Sequence, residues 1–320
     1  PTKPVYSSNA AAFGGFYEWL DAGSTTGLAG LAPKNPVGLL MQRQDLSNVN
    51  RTIANADIDY TLPFFKDLRI HTNVGIDIYN GSGTIFIPGT AASSFKRFNG
   101  KGGVNNEYKQ ENSNLLTESY LNYSKYVANI ESKFDVVAGY AYQEFKSKNF
   151  NFNDLTEDGT VVTAPNFPYD IPENRLVSFY GRFNYALKGK YSFTGTIRQD
   201  GSSRFNADNR FATFPSFAAA WNLAEENMFK QSKVISALKL RFGYGETGQQ
   251  DGIGNYDYLS YYGLSGQQGK YQIGNTFYNM YAPGGYYGGR KWEQTATTNL
   301  ALDFGLFNNK LTGSLDVYKK

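Results

Sequence analysis

The sequence predicts an all-β fold: a transmembrane antiparallel β-barrel, present in part as about ten strands. Three observations carry that expectation. Apolar residues alternate at period two in successive segments, the parity opposite them is charged, and the connections sort into short turns and long glycine-, asparagine- and serine-rich loops.

The strands follow in order. Ala54 to Leu62 sets Ala56, Ile58 and Tyr60 against Asn55, Asp57 and Asp59. After a turn around Pro63, Leu68 to Ile78 sets Leu68, Ile70, Val74, Ile76 and Ile78 against Arg69, His71, Asn73 and Asp77. Leu115 to Val127 alternates raggedly, and Phe134, Val136, Ala138, Tyr140 and Tyr142 then oppose Lys133, Asp135 and Gln143. Val177 to Leu187 and Lys190 to Asp200 segregate most cleanly, with Tyr191, Phe193, Gly195 and Ile197 against Lys190, Ser192, Thr194, Thr196, Arg198 and Asp200. Between these two, Lys188-Gly189 is a hairpin turn. Leu238, Leu240, Phe242 and Tyr244 oppose Lys239 and Arg241. Thr298, Leu300, Leu302, Phe304 and Leu306 precede Asn308-Asn309 and the last segment, with Leu311, Leu315 and Val317.

Short turns near 62–67, 127–132, 188–189 and 307–310 alternate with long stretches near 80–112, 146–175 and 247–293. Outer-membrane barrels divide their rims this way, with short periplasmic turns and long extracellular loops. Asn222 to Ser236 is the exception on the short-turn rim, and Ala224 to Phe229 within it reads as one or two helical turns. A soluble sandwich also alternates. Arg69, Asp77, Lys133, Asp135, Arg182, Arg198, Lys239, Arg241 and Asp303 on one parity favour a wet lumen, with apolar faces toward lipid. Tyr60, Tyr185, Tyr191, Trp221 and Phe304 then supply an interfacial girdle.

Composition agrees. Aromatics make up 16% of the residues, with 25 Tyr and 24 Phe, while charged residues make up only 18%. The net charge of +3 excludes a strongly basic nucleic-acid footprint and an acidic tail. The absence of Cys excludes disulfides, thiol catalysis and Cys-ligated zinc. A mean hydropathy of -0.48 suits strands that are half polar. The longest apolar run, Phe217 to Trp221, is far short of the roughly 20 residues of a membrane helix. Pro1 to Tyr6 has neither an initiating Met nor a signal architecture, and alternation persists to Lys320, so the expectation is a fragment of a longer protein.

Longer motifs point to a family. Ser178-Phe179-Tyr180-Gly181-Arg182-Phe183-Asn184-Tyr185 is followed by Tyr191 to Phe205, which contains Arg198-Gln199-Asp200-Gly201-Ser202-Ser203-Arg204-Phe205. Thr213-Phe214-Pro215-Ser216, Leu238-Lys239-Leu240-Arg241, Thr247-Gly248-Gln249, Ile253-Gly254-Asn255-Tyr256 and Lys291-Trp292-Glu293-Gln294-Thr295 come next, with Asn35-Pro36-Val37 upstream and Phe307 to Leu311 downstream. In order and spacing, this set resembles the barrel of SusC/RagA-type TonB-dependent outer-membrane transporters of Bacteroidetes.

The resemblance implies a plugged, 22-stranded barrel class, of which residues 1–320 form the central-to-late part. It implies that an N-terminal plug and a TonB-contacting segment lie outside this chain. It further implies a SusD-like surface lipoprotein as partner, the TonB complex as energy source, outer-membrane lipid as surroundings, and oligosaccharide, or next oligopeptide, as substrate. No nucleic acid, cofactor or catalysis is implied. A passive porin-like or structural barrel and a soluble β-rich carbohydrate-binding or glycosidase module are the competing readings.

The residues offer no convincing catalytic set. His71 is the single histidine, so metal or triad chemistry would require an unusual arrangement, and a lumen-facing polar residue is the simpler reading. Asp57 and Asp59 share a strand face at about 7 Å by strand rise, a spacing that suits paired-carboxylate catalysis, but charged residues on a wet face need no such explanation. Gly243-Tyr244-Gly245-Glu246-Thr247-Gly248 matches a nucleotide-loop pattern, but a loop rather than a helix follows it, so rim glycines are the expectation. Arg198, Asp200, Gly201, Ser202, Ser203, Arg204 and Phe205 read as a charge-paired turn that directs a long loop. In the glycine-rich stretch from Tyr256 to Trp292, the aromatics Tyr258, Tyr261, Tyr262 and Trp292 are candidates for substrate or partner contact.

Overall fold

The computed structural model describes residues 9–264 and 269–320. The N-terminal reading of Pro1 to Tyr6 falls outside them. Ten long strands form one sheet in which each pairs with the next in sequence. They are β1 (Gln44–Thr61), β2 (Leu68–Ile87), β3 (Val104–Val127), β4 (Ser132–Phe150), β5 (Glu173–Leu187), β6 (Tyr191–Ser202), β7 (Phe211–Asn222), β8 (Ile235–Gln249), β9 (Glu293–Leu306) and β10 (Leu311–Lys319). A two-residue strand, Tyr169–Asp170, pairs onto β4. Among the described residues no helix is long and apolar enough to cross a membrane.

The nine segments read from alternation are nine of these strands, with longer reach; β7 went unread because its Phe217 to Trp221 run is apolar throughout and shows no alternation. A bilayer is crossed by about 9 to 11 tilted residues, whereas β2 has 20 and β3 has 24. Stretches expected as loop, such as Asn105 to Asn112, are therefore strand. Their polar composition hid them, because a strand end outside lipid needs no apolar parity.

The chain divides into two compact units. One comprises Pro1–Ile53, Asp77–Ser113 and Lys146–Pro172. In it Asn35 caps the short helix Pro36–Met41, accepting from the Val37 and Gly38 N–H groups, with Pro at the helix start. Glu18 is buried and accepts the Asn35 N–H, and desolvation raises its carboxyl pKa. The loop after β2 is clasped to the loop after β4. Arg97 grips Asp154 through both terminal nitrogens and reaches the Gly103 and Leu155 carbonyls, while Glu157 accepts the Gly89 N–H at 2.6 Å. Lys101 pairs with Asp158 at 2.7 Å.

The other unit comprises Ala54–Ile76, Asn114–Phe145 and Glu173–Lys320. Its registers explain the outward faces. Phe217 pairs with Gly195 on β6, and Phe304 on β9 pairs with Gly313 on β10, so these rings lie beside glycines. Lys188 and Gly189 both have positive φ, and the Lys190 N–H donates to the Leu187 carbonyl, as a tight turn between twisted strands requires. At the next short turn Phe307, Asn308 and Asn309 are all left-handed, anchored by the Phe307 N–H on the Val234 carbonyl.

The expected helical turns after β7 are a single 3-10 turn, Leu223–Glu225, followed by hydrogen-bonded turns to Ser232. Glu226 there accepts from the Tyr191 hydroxyl at 2.8 Å, Lys190 Nζ at 3.0 Å and Trp221 Nε1 at 3.2 Å. Those bonds, Tyr191 first, hold its carboxyl down at about 2. Two aromatics expected in a girdle are thus tied to one turn.

Candidate functional site

Alternation puts the charged parity of the second unit on one wall, and the side chains there bond across strands. Tyr180 on β5 donates to Glu118 on β3 at 2.6 Å. Its ring covers Gly139 on β4, where any Cβ would lie 2.4 Å from the ring. The Arg198 guanidinium sits 5.8 Å from the centre of the same ring, while its Nε donates to Asp200 at 2.7 Å and a terminal nitrogen donates to Ser178 at 2.8 Å. Asn122 and Asn184 both donate to Asp135. On β8 to β10, Arg241 binds Asp303 bidentately at 2.7 Å, and Ser314 donates to Asp303 at 2.8 Å.

Two cavities open along this wall. One, of about 450 Å³, is lined by Glu118, Gln143, Ser178, Arg198, Asp200 and Gln250, among others. The second, of about 530 Å³, is bordered by Arg69, Tyr120, Asp135, Tyr180 and Arg182, and it shares Glu118 and Arg198 with the first. Gln250 Oε1 is a buried acceptor with no partner among the described residues. The first cavity therefore offers carboxylates, amides and one guanidinium to hydroxyl- or amide-rich solutes.

The Arg198 to Phe205 motif is distributed rather than gathered. Arg198 and Asp200 face the cavity as an ion pair. The Gly201 Cα faces the Phe211 ring, where a Cβ would come within 2.4 Å. Ser202 is buried, and its Oγ accepts the Arg204 N–H. Ser203 Oγ accepts the Arg175 N–H, and Arg204 donates to Asn255 and to the Gln250 carbonyl. Phe205 is fully buried against Trp292 at 5.3 Å, with Phe214 edge-on to the same indole. These three rings, from three separated motifs, form one small core at the long-loop end of the strands.

The aromatic candidates divide accordingly. Trp292 is only 8% exposed, and its Nε1 donates to the Arg210 carbonyl. Tyr258 is half-buried beside Glu173, Arg175 and Tyr256 around a third cavity of about 380 Å³. Tyr261 and Tyr262 are exposed, the latter in a two-stranded sheet of Tyr262–Leu264 with Tyr281–Pro283. The nucleotide-like glycine run forms the last part of β8, and Gly248 lies one residue before the strand ends. Gly248 is small because the Phe214 ring occupies the space of its Cβ, at 2.2 Å.

Sequence reasoning did not bring together Glu118, Tyr180 and Arg198, because the ragged alternation of β3 concealed the parity of Glu118. Parity placed His71 on the polar wall but did not show its neighbours. That ring stacks on Tyr120 at 4.5 Å, and its Nδ1 lies 3.2 Å from Asp59 and 3.5 Å from Asp57.

Known proteins share this architecture. A family model described as TonB dependent receptor-like, beta-barrel, matches residues 4–320. The TonB-dependent receptor SusC of Bacteroides thetaiotaomicron is 36% identical over 332 aligned residues, which cover 99% of this chain and 32% of that protein. The TonB-dependent receptor P3 of Formosa agariphila is 32% identical, with 89% of this chain and 28% of that protein covered. Among solved structures, the RagAB peptide transporter superposes with a TM-score of 0.74 at 20% identity, over 94% of this chain and 32% of that one, a likeness of fold. The chain thus spans about a third of the length of the relatives it matches. The match sets aside the soluble carbohydrate-binding or glycosidase module, since a receptor β-barrel family model covers residues 4–320. With its whole alternating sheet and charged wall inside the match, the chain belongs to the TonB-dependent receptor family, in its SusC/RagA-type branch, and its strands are part of an outer-membrane β-barrel.

Proposed function

We infer that the protein containing these strands actively imports oligomeric nutrients across the outer membrane. Glycans are the first substrate class, a SusD-like lipoprotein covers the extracellular mouth, and TonB supplies the energy through a plug and contact segment outside these 320 residues. The observation that carries the import reading is the polar cross-strand wall with its paired cavities, inside a sheet whose other face is apolar. Glycans are favoured because the wall of the first cavity presents the planar acceptors Glu118, Gln143, Asp200 and Gln250, which suit sugar hydroxyls. Oligopeptides are the second reading, supported by the fold likeness to a transporter whose name specifies peptides.

The test is uptake of labelled oligosaccharides and oligopeptides by cells that carry the receptor and its lipoprotein, with and without functional TonB. Active import predicts loss of uptake without TonB. Undiminished uptake in its absence would instead identify a passive barrel, and preference for peptides over glycans would reverse the substrate order.

A further inference from the structure

Asp57, Asp59 and His71 lie on the same polar wall, outside the two cavities described above. Asp57 and Asp59 sit two residues apart on β1, so their side chains emerge from one face. The Leu62 N–H to Leu68 carbonyl bond sets an antiparallel register that places His71 across from Asp59 and Asn73 across from Asp57. Single carboxylate oxygens of both aspartates and one imidazole nitrogen all lie within 4.8 Å of one another.

Three features separate this cluster from ordinary solvated acids. The imidazole is fixed: its ring stacks on Tyr120, and the side chain is only 14% exposed. Asn73 Nδ2 holds the outer oxygen of Asp57 at 3.1 Å, which orients that carboxylate. Moreover, Nδ1 carries at most one hydrogen, yet it faces one oxygen at 3.2 Å and another at 3.5 Å. A shared N–H serves both oxygens when Nδ1 is protonated, and when it is not, a cation in the same place serves all three groups. The two separations bracket the ligand-to-ligand edge of roughly 3.4 Å that follows from tetrahedral zinc with bonds near 2.1 Å. Both carboxylates remain half exposed, which leaves an entry path.

We propose that Asp57, Asp59 and His71 form a divalent transition-metal site, of the zinc class, on the lumenal wall. The donor set is one imidazole and two carboxylates, with a fourth position open to water or to a donor atom of a passing solute. Arg69 Nε stands 3.4 Å from Asp59 and competes with the metal for that carboxylate. Tyr120 and Asn73 act as orienting groups for His71 and Asp57.

The experiment is titration of the full-length receptor, purified in detergent without a polyhistidine tag, with Zn²⁺ alone, followed by Co²⁺ absorption spectroscopy. The unmodified receptor is expected to bind one more Zn²⁺ than His71→Ala, and Asp57→Asn is expected to weaken that site about tenfold or more. Arg69→Gln is expected to tighten it several-fold by removing the competing cation, a change that a purely structural ion cluster would not produce. Equal stoichiometry in the unmodified and His71→Ala receptors, or weaker binding in Arg69→Gln, overturns the assignment. Should His71→Ala fail to assemble, the Co²⁺ spectrum of the unmodified receptor decides: no saturable visible band overturns it.

Discussion

The two faces of strands β5 to β10 share a backbone and a hydrogen-bond ladder but solve opposite problems. On the outward face, Phe179, Phe183, Phe193, Ile197, Phe217, Leu300, Leu315 and Val317 are exposed, and their only lateral cover is the neighbouring strand. On the inward face Arg198 donates across to Ser178 on β5, and Arg241 binds across to Asp303 on β9. The difference shows where stability comes from. The outward face depends on a surrounding apolar solvent, whereas the inward face carries its own partners and tolerates water.

The largest test of that contrast is Ile197→Arg, at 58% exposure on the outward face. It is expected to cost about 2 to 4 kcal/mol near the bilayer midplane, read from denaturant unfolding of the full-length receptor in lipid vesicles. No loss there would place this face outside lipid. Next, Gly139→Val drives a side chain into the Tyr180 ring and breaks its bond to Glu118. Overpacking of this kind costs about 1 to 3 kcal/mol, so the same assay should report a loss on the inward face that depends on volume rather than polarity. Gly139→Ser, being smaller, should lose less.

Arg198→Thr, one residue from Ile197 but on the opposite face, is expected to lose under about 1 kcal/mol, because the Arg198 side chain is 46% exposed on a wet wall. A loss equal to that of Ile197→Arg would erase the distinction between the faces.

The smallest effect is local and pH-dependent. Glu226 is held at about 2, first by Tyr191, and Asp158 is held below the usual range, first by Lys101. A depressed carboxyl contributes stability above its unfolded pKa, near 4, and loses it as pH falls through the folded value. Hydrogen exchange of the turn after β7 and of the clasp around Thr156 should therefore rise between pH 4 and 2. Exchange in the segment containing Glu18, whose pKa is raised, should fall on acidification, the opposite sign. Parallel changes in all three would refute these local causes.

Much of this was legible from alternation, because a period of two both identifies a strand and assigns its faces. The wall residues Arg182, Arg198 and Arg241 were placed by parity alone. The polar ends of β2, β3 and β4 were not legible, since backbone hydrogen bonds hold them without any apolar stripe. Nor was the role of Trp292, which sits 87 positions from Phe205 in the chain and meets it only because β5 to β9 return the loops to one end.

The sequence by itself determined the strands, their faces and the family, because these depend on side-chain order along one chain. Only the tertiary structure decided that Glu118 meets Tyr180, that Gly248 makes room for Phe214, and that His71 faces two carboxylates. Those contacts depend on register between strands, and register is set by turns and neighbouring pairs rather than by the alternation within any one strand.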